Sequence, residues 1–80
     1  MDLVQLTEEI VKSLVVDQDG VSVKEFPTEE ENVILIQVMV DTDDMGKVIG
    51  KQGKIAQSIR TVMKAVANRK DKKVTVEFIG

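Results

Sequence analysis

Apolar positions along the 80-residue chain follow a helical period first. Across residues 2–15, Leu3, Leu6, Ile10 and Leu14, with Val4, Val11 and Val15 beside them, mark one face of a helix. Asp2 stands at its positive end, where a carboxylate is favoured. Asp17 to Gly20 is a turn signal. Val21 to Phe26 partly alternates, which predicts a short strand that Pro27 ends. Residues 27–32 are polar and acidic and predict an exposed loop. Val33 to Val40 is apolar except for Gln37, the pattern of a central strand covered on one face and partly on the other.

In the second half, Asp41, Thr42, Asp43 and Asp44 are residue types that cap helices, and Met45 to Ile49 then predicts a helix of one to two turns. Gly50 to Gly53 breaks it. From Lys54 the apolar set Ile55, Ile59, Val62, Met63 and Val66 recurs at i, i+4, i+7, i+8 and i+11, one face of a second helix. Gln57, Arg60, Thr61, Lys64 and Asn68 lie on the opposite face. A charged turn, residues 68–73, leads to Val74, Val76 and Phe78 alternating in a final strand. Phe26 and Phe78 are expected in the core.

The order helix, strand, strand, helix, helix, strand constrains the topology. A link of about six residues joins the first two strands and favours antiparallel pairing. A two-helix crossover joins the second and third and permits parallel pairing. The expectation is an α+β fold: a three-stranded mixed sheet, the second strand central, helices packed on one face.

Eighty residues suit one domain with a modest core. There is no cysteine and no histidine, which removes disulfides, thiolate ligands and the side chain best suited to proton transfer at neutral pH. Asp43 and Asp44 are better read as capping residues than as an acid pair or metal ligands, so no catalytic residue, metal or cofactor is expected. No apolar run approaches the roughly 20 residues of a membrane helix, and no signal-peptide pattern opens the chain. A cytoplasmic protein is the simplest reading. The net charge of −3 hides an asymmetry: residues 1–44 carry 12 acids and 2 bases, residues 45–80 carry 2 acids and 9 bases. The basic half either meets a polyanion or simply solvates a helix and its following turn.

The run Val48-Ile49-Gly50-Lys51-Gln52-Gly53-Lys54 carries the candidate chemistry. Glycine lets backbone approach a ligand where a Cβ would collide. The first turn of the next helix leaves N–H groups without intrahelical partners, a weak anion site. Lys47, Lys51 and Lys54 add charge to the same short stretch. The spacing is neither that of a Walker A loop nor that of a dinucleotide-binding loop. Taken alone, two glycines three apart serve equally well as a tight helix-to-helix turn.

With Ile55-Ala56-Gln57-Ser58-Ile59-Arg60 following it, the run resembles the signature of KH domains. The element order resembles their type II, bacterial-style arrangement, with a core over about 33–79 and a helix-and-strand extension over 1–32. The likeness covers nearly the whole chain, and the length resembles small stand-alone bacterial KH-domain RNA-binding proteins. It implies a single-stranded RNA-binding protein of the RNA chaperone or post-transcriptional regulator type, in which the Gly-x-x-Gly loop clamps the backbone of about four nucleotides. Gly50 and Gly53 would then allow close approach, and Lys51 and Gln52 would face phosphates. Val48, Ile49, Ile55 and Ile59 would line a groove for the bases, although Ile49 and Ile59 serve equally well as core. Arg60 and Lys64 either reach phosphate or base edges or remain a solvated face. Ala56 departs from the large aliphatic residue often found there, and Glu29, Glu30 and Glu31 would repel phosphate from the neighbouring loop. The alternative implied function is a protein-interaction module, a homodimer or the companion of a second KH-domain protein. It would use the sheet face of Val33, Leu35 and Met39 unless the N-terminal helix covers it.

Overall fold

A computed structural model describes residues 2–79 and has the expected order of elements. Helix α1 spans Leu3–Lys12 and starts at a capping box. The Asp2 carboxylate accepts the Gln5 N–H at 2.7 Å, and the Gln5 side chain accepts the Asp2 N–H at 3.2 Å. The helix stops short of the expected residue 15. Val15 turns into the core, and Val16 and Asp17 give their N–H groups to a carboxylate from another part of the chain.

Strands β1 (Ser22–Pro27) and β2 (Val33–Met39) pair antiparallel from Ser22 opposite Met39 to Pro27 opposite Ile34. Strand β3 (Lys73–Ile79) pairs parallel with β2, from Val33 beside Lys73 to Met39 beside Ile79. The sheet order is β1-β2-β3, a mixed sheet with the most apolar strand in the middle. The crossover holds α2 (Met45–Ile49) and α3 (Lys54–Arg69).

One sheet face, built from Val23, Ile34, Ile36, Val38, Val74 and Val76, is buried. Helix α1 packs against β1 and α3, and α3 packs against β3. Val11 and Met63 complete the centre of this core. Thr7 is buried there without penalty: its hydroxyl donates to the Leu3 carbonyl at 2.7 Å and lies 3.3 Å from the Met63 sulfur.

The opposite sheet face has no helix over it. Phe26, expected in the core, is 38% exposed there. Strand parity explains this, because Phe26 is three residues from the inward-facing Val23 and so points the other way. It stands beside the half-buried Leu35, with Met39 and Ile79 exposed further along. Phe78 is half-buried on the core side.

The acidic run before α2 also departs from expectation. Thr42–Asp44 forms a 3-10 turn, and neither that turn nor α2 receives a side-chain cap. Asp44 instead reaches back across the fold. Its two carboxylate oxygens accept the Val16 N–H at 3.1 Å and the Asp17 N–H at 3.0 Å, and the residue is 3% exposed. These bonds hold its carboxyl below the usual range. They also satisfy donors that the early end of α1 leaves without partners.

Candidate nucleic-acid interface

Helix α2 ends where the Gly50 N–H donates to the Gly46 carbonyl at 2.9 Å. Gly50 then takes φ 77° and ψ 175°, a conformation essentially reserved for glycine. A Cβ on Gly50 would lie 2.5 Å from Ile55 Cγ1, so glycine is required here for packing as well as for conformation. Lys51–Gly53 makes a single 3-10 turn, closed by the Gly53 N–H on the Gly50 carbonyl at 3.1 Å. Gln52 sits at φ 57° and Gly53 at φ 75°. Unlike Gly50, Gly53 faces empty space: a Cβ there would have no atom within 4 Å. Three left-handed residues in four therefore fold the backbone outward, with the Lys51, Gln52 and Lys54 side chains exposed around it. The turn runs directly into the N-terminus of α3, where the Lys54 N–H donates to the Lys51 carbonyl and the next N–H groups of the first helical turn have no acceptor within the helix.

The other expected residues divide. Lys47 is exposed, but its Nζ lies 3.6 Å from Asp44 Oδ1, so its charge is shared with a carboxylate. Val48 is 0% exposed and belongs to the core. Ile59 is buried as well, while Ile49 and Ile55 are half-buried. Ile55 and Ile59 do not face the β3 edge. With Ile10, Leu14 and Val62 they line an open apolar groove of about 480 Å3 between α1 and α3. The expected single groove is thus two surfaces on opposite sides of α3. Helical phase is the cause: residues 55, 59 and 62 share one stripe, and 60, 64 and 68 share another.

Arg60 points to β3. Its Nε donates to the Val76 carbonyl at 3.1 Å, and its guanidinium lies 5.2 Å from the centre of the Phe78 ring. The residue fastens α3 to the free edge of the sheet, and the cation covers the aromatic face on that side. Lys64 and Asn68 follow it toward Lys72 and Lys73, and these four residues line a cavity of about 560 Å3 with Val33 and Val74. The sequence pattern places Lys72 and Lys73 only in a charged turn. Their approach to Lys64 depends on β3 doubling back along α3, a tertiary fact with no local signal.

No group of histidine, cysteine or carboxylate side chains suited to a metal occurs among the described residues. None of the described helices is long and apolar enough to cross a membrane.

Three helices on one face of a β1-β2-β3 sheet with β2 and β3 parallel, and a Gly-x-x-Gly turn between two helices of the crossover, define a KH domain of type II. The chain belongs to the KhpA/KhpB KH-domain family, whose model matches residues 4–78. It is similar to the RNA-binding protein KhpA of Clostridium perfringens, 52% identical over 75 residues that cover 94% of this chain and 97% of that one. The RNA-binding protein KhpA of Aquifex aeolicus is 41% identical over 78 residues, 98% of this chain and 92% of the other. That of Listeria monocytogenes is 41% identical over 75 residues, 94% and 96%.

Proposed function

We propose that this chain binds single-stranded RNA by seating the sugar–phosphate backbone on the turn from Gly50 to Gly53. The observation that carries the reading is the pair of glycines in different roles. Gly50 is packed against Ile55, and Gly53 leaves open space beside exposed Lys51, Gln52 and Lys54. Bare backbone, helix N–H groups and two cations converge on one outward-facing turn, which suits phosphate better than any neutral ligand. The family and the names of its similar members agree with RNA as the polyanion. Affinity from so few cations on a chain of net charge −3 is modest, as suits a chaperone or post-transcriptional regulator that must release its RNA.

The test is a double substitution, Lys51→Asp with Gln52→Asp, at two exposed positions. Binding to short single-stranded RNA is lost while the circular dichroism and Tm stay those of a folded domain. Unchanged binding by the folded variant defeats the reading. With about three phosphates neutralised at the turn, this contact by itself makes the logarithm of affinity fall against the logarithm of salt with a slope of roughly −2.

A second reading concerns self-association. The groove between α1 and α3 is almost wholly apolar, and Val62 stands 46% exposed at its rim. A second copy of this chain brings the same stripe and covers both, as an isologous interface does. Lys54 lines this groove and also flanks the glycine turn, so the two activities meet at the N-terminus of α3, while Arg60 and the β3 edge lie on the other side of the helix.

A further inference from the structure

The basic surface does not end at the glycine turn. Helix α3 carries no carboxylate over its sixteen residues. Arg60, Lys64 and Asn68 recur every four residues on the stripe that faces the free edge of β3. At the far end of that stripe lies the cavity of about 560 Å3 lined by Lys64, Asn68, Lys72 and Lys73 over an apolar floor of Val33 and Val74. No acidic side chain lines it, and among the described residues none of its three lysines makes a salt bridge. Three unneutralised ammonium groups, a side-chain amide and an apolar floor are the chemistry of a nucleotide subsite: phosphate on the lysines, a base edge on the amide, a base face on the valines.

From this arrangement we infer that the chain has a second RNA contact, at the junction of the α3 C-terminus with β3, which takes a phosphate and base further along the strand held by the Gly50–Gly53 turn. The inference rests on the reading of that turn as the first contact. From Lys54 to Asn68 the helix rises about 20 Å. A stacked strand advances about 3.4 Å per nucleotide, so about six nucleotides connect the two ends. Arg60 stands between them, a further cation on the same track. The track has a defined end. The Lys73 N–H donates to the Asn32 carbonyl at 2.8 Å, so the acidic loop over residues 29–31 joins the sheet next to Lys73, and its charge would oppose a strand continuing past the cavity.

The experiment uses the full chain and octauridylate. Amide shifts are followed by NMR, and affinity is measured across salt for the parent and two doubly neutralised variants. Lys64→Gln with Lys73→Gln removes two charges from the cavity. Lys12→Gln with Lys24→Gln removes two charges elsewhere and changes the net charge equally. Shifts at Asn68 and Lys73 together with Gly50–Gly53, a several-fold loss of affinity and a salt slope shallower by about 1.4 in the first variant alone are the expected result. Equal losses in both variants mean that only net charge matters and overturn the second contact, as does no loss in either. Shifts confined to Gly50–Gly53 overturn the second contact and leave the turn standing. Shifts confined to Asn68 and Lys73 overturn the turn and leave a cavity that binds alone. An RNA that shifts neither region defeats both.

Discussion

Ile55 fills the space into which Gly50 would project a side chain: Cγ1, Cβ and Cδ1 of Ile55 all lie within 2.9 Å of a Cβ built there. The two glycines of the turn are therefore unequal. Gly50→Ala meets both a strained φ of 77° and a clash, and it is expected to destabilise the domain by about 2–3 kcal/mol. Gly53→Ala meets only an unfavourable φ of 75° in open space, and about 1 kcal/mol is expected. Urea unfolding of both variants checks the order. Equal losses would mean that Ile55 yields easily. Gly53→Ala remains folded enough for RNA titration, and its methyl group, standing where backbone would meet phosphate, weakens binding without touching a charge.

Val62 gives the clearest handle on self-association. Val62→Asp places a charge on the rim of the α1–α3 groove without disturbing a buried side chain. Sedimentation velocity over a concentration series is expected to show association in the parent and a monomer in the variant. A parent that stays monomeric into the high micromolar range counts against the groove as an interface.

Arg60 is expected to matter for structure before it matters for RNA. Arg60→Ala loses the Nε bond to Val76 and the contact over Phe78, together worth about 1 kcal/mol at a partly exposed site. Arg60→Lys keeps the charge but not the planar donor, so stability falls nearly as far while the salt slope of RNA binding is preserved. Thermal melts and salt titrations of the two variants separate these roles.

Asp44 predicts an acid-sensitive fold. Its folded pKa is lowered by the Asp17 and Val16 N–H groups, with Lys47 adding to the effect. The stability this confers is present above the unfolded value of about 3.9 and is lost as pH falls through the lower folded value. Asp41 works in the opposite sense. A side-chain hydrogen bond with Asp17 raises its pKa, with burial and the neighbouring carboxylates adding to the rise. Its contribution is present in acid and is lost as pH rises through the folded value. Asp44→Asn lowers Tm at pH 7 and flattens the decline of Tm below about pH 4. Asp17→Asn keeps the backbone donor to Asp44 and relieves the carboxylate pair, raising Tm at neutral pH. Melting curves from pH 2 to 8 check both.

The sequence made the architecture legible because each element has a strong local period. The alternation of Val74, Val76 and Phe78 and the spacing of Ile55, Ile59 and Met63 leave little room for another assignment. The misplacements are of a different kind. Phe26 sits in a strand expected to be core, whereas its parity with Val23 puts it outside. Asp44 looks like a local cap, and nothing in residues 41–45 shows that its partners are 27 and 28 positions earlier. In the site, the Gly50–Gly53 turn could be read from the string because its cause is local. Which face of α3 meets α1 and which meets β3 depends on how the helix is rotated against the sheet. For that reason Val48 reads as a groove wall, Ile59 stays open between groove and core, and Lys73 reads only as part of a charged turn.

The parallel pairing of β2 with β3 also bears on how the molecule is made. Val33 and Lys73 are neighbours in the sheet but forty positions apart in the chain, so this pairing closes a far larger loop than the β1–β2 hairpin does. During synthesis the hairpin and the glycine turn emerge first, while Lys72, Lys73 and the edge that receives Arg60 emerge last. A nascent chain thus exposes the proposed phosphate contact at the turn before the one proposed at the α3–β3 junction exists. If both contacts operate, co-translational capture of RNA by the turn alone is short-lived, and docking of the last strand is the event that would turn a loose grip into a track.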